Sequence, residues 1–359
     1  MKRVSIIGIG KLGLCLALNL EKSGYHVIGI DKNKTYVNSL RDGSFDSSEP
    51  MVNEFLNGQK NITFSDNVID ALENDIIFIV VSTPSTDEWR YDHTNIDNVV
   101  EELLSMGAQS KRKDVVINCT TFPKYCESLH EKTKSKNIHI SYNPEFIAQG
   151  SIIKDQLNAE HVLIGECDEY SGDLIEGVYR DFMEVEPIFN RMTPTEAEIS
   201  KISVNCFLTT KISYANMIGD IAIRYGCDQN KILESIGSDR RIGNNYLKYG
   251  YGFGGPCFPR DNRALLRCAE DVNINATISR ATDEMNELHL KYQLEEFVKN
   301  NPIDQPIIFD YLTYKKDSVI LEESQRLMFA LELQKLGYEI IIKDQRSEVR
   351  EELSKKYNV

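Results

Sequence analysis

Gly8-Ile9-Gly10-Lys11-Leu12-Gly13 stands directly behind the apolar run Val4–Ile7 and directly ahead of a helical pattern over Leu14–Lys22. A strand that turns over glycines into a helix is the start of a βαβ unit, because the glycines permit a tight turn and close helix-to-strand packing. The helix start also offers backbone N–H groups to a pyrophosphate. The next β-branched run, His26–Ile30, ends in Asp31, at about the 20-residue distance where a carboxylate meets a ribose 2′-hydroxyl and repels a 2′-phosphate. Taken singly, these parts read as a turn glycine cluster and a surface acid. In combination they predict an NAD site on Gly8, Gly10, Lys11, Leu12, Gly13 and Asp31, with NAD preferred to NADP.

Further apolar runs at Ile76–Val81, Val115–Asn118, Ile138–Ser141 and His161–Ile164 alternate with helical stretches. That alternation predicts an α/β fold with a Rossmann-like, doubly wound parallel sheet over residues 1–192. With 359 residues the chain exceeds one ordinary core. Long helical patterns at Glu196–Tyr225 and Ile278–Asn300, broken by the glycine-rich loop Gly243–Gly255, predict a central helical domain over 193–300. Strand-like Pro306–Asp310 and Glu339–Ile342 flank a helical Glu323–Leu336, predicting a short C-terminal α/β unit over 301–359. A second loop behind an apolar strand, Val81-Ser82-Thr83-Pro84-Ser85, puts Thr83 either against the cofactor or in solvent.

Composition excludes several classes. A formal net charge of −14 speaks against nucleic acid as a partner, and an anionic ligand would need a local basic pocket. No apolar run reaches the roughly 18 residues of a membrane helix, so a soluble protein without a membrane partner is expected. The glycine motif follows Met1 almost at once, leaving no room for a signal peptide, which predicts a cytoplasmic protein. The 8 cysteines are scattered without a CxxC pair, so free thiols and no metal site are expected.

The densest chemical signal is Tyr249-Gly250-Tyr251-Gly252-Phe253-Gly254-Gly255-Pro256-Cys257-Phe258-Pro259-Arg260-Asp261, a glycine-rich loop leading to a helix expected near Asn262. A cysteine near a helix start and a cation suits a nucleophilic thiolate, although a free cysteine taken by itself is more often an inert buried residue. Asp261 alone reads equally as the N-cap of the following helix.

That loop, with Arg240–Lys248 ahead of it, closely resembles the active-site signature of the UDP-glucose/GDP-mannose dehydrogenase family. Asn143-Pro144-Glu145-Phe146 resembles the family's Asn-Pro-Glu-Phe motif, Thr120-Thr121-Phe122-Pro123 its Ser-Thr-Val-Pro loop, and Glu196–Asn205 its helix bearing a catalytic Lys and Asn. The resemblance covers most of residues 1 to about 300, in family order. It implies an NAD-dependent nucleotide-sugar 6-dehydrogenase, UDP-glucose-like in substrate, that takes a C6 alcohol to a uronic acid through a thioester on Cys257. Lys201 and Asn205, four apart on one helix face, would stabilise an oxyanion. Glu145 would act as base in thioester hydrolysis, with Thr121 and Asp261 orienting water and Thr121 also near the cofactor. Phe146, Tyr246, Leu247, Lys248, Gly254, Gly255 and Lys315 would line the substrate, together with Glu145, Lys201 and Asn205. Arg241 would reach a neighbouring subunit's substrate, implying a homodimer; without that role it is an exposed loop charge.

The sequence also departs from the family. Ile147-Ala148-Gln149-Gly150 stands where Leu-Arg-Glu-Gly is usual, so a basic contact is missing. Tyr314-Lys315-Lys316-Asp317-Ser318 resembles a substrate-contacting segment, but Glu322-Glu323-Ser324 replaces the Arg-Glu-Ser that follows it. The chain stops soon after Asp344, where family members continue, which suggests a reduced nucleotide grip or one supplied by another subunit. Two other functions stay open on the sequence: a β-hydroxyacid dehydrogenase, which needs no catalytic cysteine, and a non-catalytic sugar-nucleotide binder.

Overall fold

A computed structural model describes residues 2–147, 150–316 and 318–357; Ala148, Gln149 and Asp317, named among the departures above, lie outside them. The chain divides into two compact units, Met1–Lys201 and Ile202–Val359. The long helix Pro194–Arg224 runs through the boundary, so Lys201 belongs to the first unit and Asn205 to the second.

The first unit is built on strands β1 (Arg3–Ile7), β2 (His26–Ile30), β3 (Ile62–Ser65), β4 (Ile76–Ile79), β5 (Lys113–Ile117), β6 (Ile138–Tyr142), β7 (His161–Gly165) and β8 (Ile188–Met192). Their order in the sheet is β3-β2-β1-β4-β5-β6-β7-β8. Ile6, Phe78 and Val116 face one hydrophobic cluster, while Ile7, Ile77, Ile79, Val115 and Ile117 face the other. This alternation buries both sheet faces, which is why the central strands read as nearly continuous apolar runs.

The predicted parallel sheet holds for β1 to β6, but β7 pairs antiparallel to β6 through Tyr142 and Gly165, and β7 and β8 are parallel to each other. The reversal follows from connectivity. An antiparallel neighbour is entered from the same sheet edge that the previous strand left. β3 and β8 were not among the expected strands, because Ile62–Ser65 and Ile188–Met192 carry too few apolar residues to stand out.

The second unit contains the remainder of the long helix and helices Gln229–Gly237, Phe258–Asp271 and Thr277–Asn300. It also holds a parallel strand pair, β9 (Ile307–Phe309) and β10 (Ile340–Ile342), with helices Gln325–Lys335 and Ser347–Tyr357. Its core joins Phe309, Phe329, Leu333 and Tyr338 to Phe297, whose ring meets Phe329 edge-on at 5.5 Å. Among the described residues no helix is long and apolar enough to cross a membrane.

Candidate active site

In the first unit Gly8 turns the chain out of β1 with φ +93°. A Cβ there would lie 2.3 Å from the Val80 carbonyl oxygen, and one on Gly13 would lie 2.1 Å from the Gly8 carbonyl oxygen. Both positions therefore admit only hydrogen. Around Gly10, by contrast, no atom would lie within 4 Å of an added Cβ, so its backbone is open to a ligand. Gly10 also caps the helix Lys11–Lys22 with no side-chain hydrogen bond to the first turn. That helix begins at Lys11 rather than at the expected Leu14, since Gly13 must already sit inside it to let the turn close.

Asp31, half-buried behind β2, accepts the Asn33 N–H at 2.9 Å. Together with Gly10, Lys11, Tyr36 and Glu49 it lines a cavity of about 390 Å³. Bare glycine backbone, an uncapped helix start and a carboxylate on one cavity wall fit a ribose-pyrophosphate. Leu12 is half-buried beside this cradle. Tyr36, whose hydroxyl donates to the Ile9 carbonyl at 2.7 Å, and Glu49, whose carboxylate accepts the Gly150 and Ile152 N–H groups, were not singled out from sequence. Nothing in their spacing marks them. Thr83 is buried and donates to the Thr120 carbonyl at 2.9 Å, joining two loops at the carboxyl edge.

Glu145 follows β6, and the loss of water around it, only partly offset by the Lys201 charge, pushes its carboxyl up to about 7. The Lys201 ammonium donates to the Glu145 carbonyl oxygen and lies 4.1 Å from the centre of the Phe146 ring. Tyr179 donates to Asn143 Oδ1 at 2.7 Å and lies 3.5 Å from Glu145 Oε1. Thr121 is fully buried, and its hydroxyl donates to Glu198 at 2.9 Å. The hydroxyl expected to orient water is thus committed to a carboxylate. Glu198 also accepts the Cys126 N–H at 2.9 Å, and burial raises its carboxyl pKa. It escaped notice because an acid one turn before a lysine ordinarily marks a solvated helix face.

In the second unit Cys257 is exposed and forms the N-cap of the helix Phe258–Asp271, with proline in its first turn. The helix therefore starts four residues before the expected Asn262. Proline is favoured in a first turn, where its missing N–H costs nothing. Asp261 is consequently a first-turn residue rather than the N-cap. It is fully buried, with Asn205 donating to Oδ2 at 2.6 Å and Arg260 donating to Oδ1 at 2.8 Å.

Gly254 and Gly255 lie behind the cysteine under tight constraint. A Cβ on Gly254 would lie 2.2 Å from the Glu323 carbonyl oxygen, and one on Gly255 2.6 Å from the Tyr314 ring. Burial, and after it the charge of Cys257, raise the Tyr314 hydroxyl pKa. The replaced tripeptide is also resolved into parts. Glu323 forms a two-bonded pair with Arg263 at 2.5 and 2.9 Å, while Glu322 is exposed. Leu247 is buried, whereas Tyr246, Lys248 and Lys315 are exposed. Arg241 is exposed and paired with Asp239 at 2.6 Å.

One cluster invisible in the sequence spacing joins His130, His139 and Cys167, whose ligand atoms lie within 4.8 Å of one another. His130 Nδ1 accepts the Ile140 N–H at 3.1 Å, which puts the ring proton on Nε2. That nitrogen then has no lone pair for a metal.

Comparison with known proteins gives a consistent picture. Residues 2–183 match the profile described as "UDP-glucose/GDP-mannose dehydrogenase family, NAD binding domain", and residues 195–288 match that family's central domain. A UDP-glucose 6-dehydrogenase of Pseudomonas aeruginosa is 31% identical over 297 residues, a match that takes in 79% of this chain and 65% of that enzyme. This chain thus spans somewhat under two thirds of that relative's length. A GDP-mannose 6-dehydrogenase of the same organism is 28% identical over 361 residues, covering 96% of this chain and 82% of that enzyme. The solved structure of a UDP-glucose dehydrogenase from Pyrobaculum islandicum superposes with a TM-score of 0.89 at 27% identity, covering 100% of this chain and 85% of the other.

Proposed function

The chain belongs to the UDP-glucose/GDP-mannose dehydrogenase family and carries its NAD binding domain, and from that premise we propose that it oxidises the C6 alcohol of a nucleotide sugar to a carboxylate through a thioester on Cys257. The observation that carries this reading is the exposed thiol at the N-terminus of the helix Phe258–Asp271, in a loop where Gly252, Gly254 and Gly255 leave no room for a side chain.

NAD, held on Gly8–Gly13 and Asp31, would supply the hydride acceptor in each of two oxidations. The alcohol first loses a hydride and a proton to become an aldehyde. Cys257 Sγ then bonds to the aldehyde carbon, and Lys201 and Asn205 supply hydrogen bonds to the oxygen that becomes negative. Loss of a second hydride from that carbon leaves the thioester. Water, deprotonated by Glu145, cleaves the C–S bond and returns the thiol. Asp261, held by Asn205 and Arg260, keeps the start of the cysteine helix in place. Tyr246, Leu247, Lys248, Lys315 and the backbone of Gly254 and Gly255 form the sugar-nucleotide side of this reading, with the three functional segments divided near residues 192 and 300.

We also propose a homodimer acting in the cytoplasm, with Arg241 reaching the partner's substrate. Its support is an exposed apolar stripe at heptad spacing on the long helix: Phe207, Tyr214 and Ile221, extended by Tyr225.

The test incubates the protein with NAD and, separately, UDP-glucose, GDP-mannose and UDP-linked N-acetylhexosamines, following NADH and product mass. One sugar should give two NADH per uronic acid formed, and a trapped turnover should leave a sugar adduct on the peptide containing Cys257. Cys257→Ala should make no acid. A single NADH per sugar with an accumulating aldehyde or ketone would instead indicate a two-electron dehydrogenase.

A further inference from the structure

The segment Tyr249–Phe253, which leads to Cys257, forms no helix or strand, yet Phe253 is buried and its neighbours are half-buried. Its polar backbone groups need partners that regular structure does not supply. Side chains of two helices supply them. From the long helix, Asn216 Oδ1 accepts the Gly250 N–H at 3.0 Å. From Thr277–Asn300, Asn286 accepts the Phe253 N–H at 2.9 Å and donates to the Phe253 carbonyl at 2.9 Å. Gln293 on the same helix donates to the Gly250 carbonyl at 3.1 Å. One loop glycine and one helix glycine beside these contacts leave no room for a side chain: a Cβ on Gly252 would lie 2.1 Å from Asn286 Oδ1, and one on Gly219 of the long helix 2.0 Å from the Tyr249 ring.

At the centre stands His289, 1% exposed, with Nδ1 at 2.8 Å from Asp220 Oδ2 and Nε2 at 2.7 Å from the Gly250 carbonyl. A carbonyl only accepts, so Nε2 carries a proton. The short separation between Nδ1 and Oδ2 requires a second proton there, because two facing lone pairs would repel. Asp220 is anchored in turn by the Tyr249 hydroxyl, which donates to Oδ1 at 2.9 Å, and the Tyr249 ring meets the imidazole edge-on at 5.4 Å. The pair is thus a closed donor–acceptor chain from the long helix, through the ring, to the loop.

We propose that Asp220 and His289 are positioning residues for Cys257: the proton held between Asp220 Oδ2 and His289 Nδ1 keeps Nε2–H aimed at the Gly250 carbonyl and so fixes the loop that carries the thiol. From Gly250 the chain is pinned again at Phe253 by Asn286 and then at Gly254 and Gly255 by the backbone of Glu323 and the ring of Tyr314. Little freedom is left before Cys257, so releasing the first anchor shifts the nucleophile. This inference rests on the reading of Cys257 as the thioester residue.

Three variants separate the parts. Asp220→Asn offers an amide that donates to Nδ1 of a ring protonated only on Nε2, while its oxygen still accepts from Tyr249, so the chain survives without the shared proton. Asp220→Ala and His289→Gln break it. The measurements are NADH formation with the full chain, the alkylation rate of Cys257 by iodoacetamide resolved by mass spectrometry, and hydrogen exchange of the 249–257 peptide. Asp220→Ala and His289→Gln should lower kcat on the order of 100-fold, change the alkylation rate and speed exchange, with KM for NAD unchanged. Asp220→Asn should remain within a few-fold of wild type on every readout.

Wild-type kcat, alkylation and exchange in both disruptive variants would overturn the proposal, as would Asp220→Asn being as damaging as Asp220→Ala. If His289→Gln does not fold, Asp220→Ala carries the comparison. If both lose the fold by circular dichroism, the pair serves core stability and not the loop. Should Cys257→Ala still make acid, the thioester reading fails on its own, and alkylation and exchange continue to report on the clamp.

Discussion

Glu145 is a carboxyl taken out of water at the end of a strand, and its pKa of about 7 has a consequence for rate and another of opposite sense for stability. As a base it works only when ionised, so thioester hydrolysis should rise as pH passes through about 7, and Glu145→Gln should accumulate acyl-enzyme visible by mass spectrometry. For stability, the folded value lies above the ordinary 4.5, so between the two values the folded state binds more protons than the unfolded one. Stability therefore falls as pH rises through that window. Glu145→Gln removes the effect, and its melting midpoint should gain on wild type between pH 5 and pH 8, a roughly chosen span around that window. A constant gap would show that the carboxyl titrates normally. Lys201→Ala should lose turnover on the order of 100-fold with little change in KM for NAD, as expected of a donor to a developing oxyanion; near-normal turnover would leave Lys201 as a buried partner of the Glu145 carbonyl. The types and spacing of Glu145, Lys201 and Cys257 were readable from motifs. Glu198 and Tyr179 were not, because their roles come from neighbours far away in the chain.

Two helix starts frame the candidate site at the level of elements, and each begins earlier than its apolar pattern suggests. Lys11–Lys22 starts inside the glycine motif, and Phe258–Asp271 starts on the residue after the cysteine. Apolar periodicity marks where a helix is buried, whereas the first turn is set by caps, prolines and close backbone approach. Gly13→Ala tests this directly, since the added methyl would sit 2.1 Å from the Gly8 carbonyl oxygen. Overpacking of this kind should cost roughly 1–3 kcal/mol, and NAD affinity measured by calorimetry should drop at least as far as the change in fold stability. Unchanged affinity would mean that the turn does not hold the pyrophosphate. The antiparallel β7 could not have been foreseen, because a strand's apolar content carries no sign of its direction.

For the whole molecule the open matter is assembly. Phe207 on the long helix and Tyr225 just past its end are 66% and 82% exposed, more apolar surface than a monomer ordinarily leaves in a line. Phe207→Glu combined with Tyr214→Glu should convert a dimer to a monomer in light scattering, without unfolding, because neither residue belongs to a core. If the wild type is already monomeric, the stripe has another purpose and Arg241 has no partner's substrate to reach. By itself the sequence determined the α/β class, the glycine turn with its acid, and the cysteine loop, all features that live within a few consecutive residues where local sterics and hydrogen bonding are decisive. Only the tertiary structure decided which carboxyl is stripped of water, which hydroxyl is already committed, as Thr121 is to Glu198, and which buried helix residues hold the loop. Desolvation and hydrogen-bond partnership are properties of surroundings, and surroundings are assembled from residues that the sequence keeps far apart.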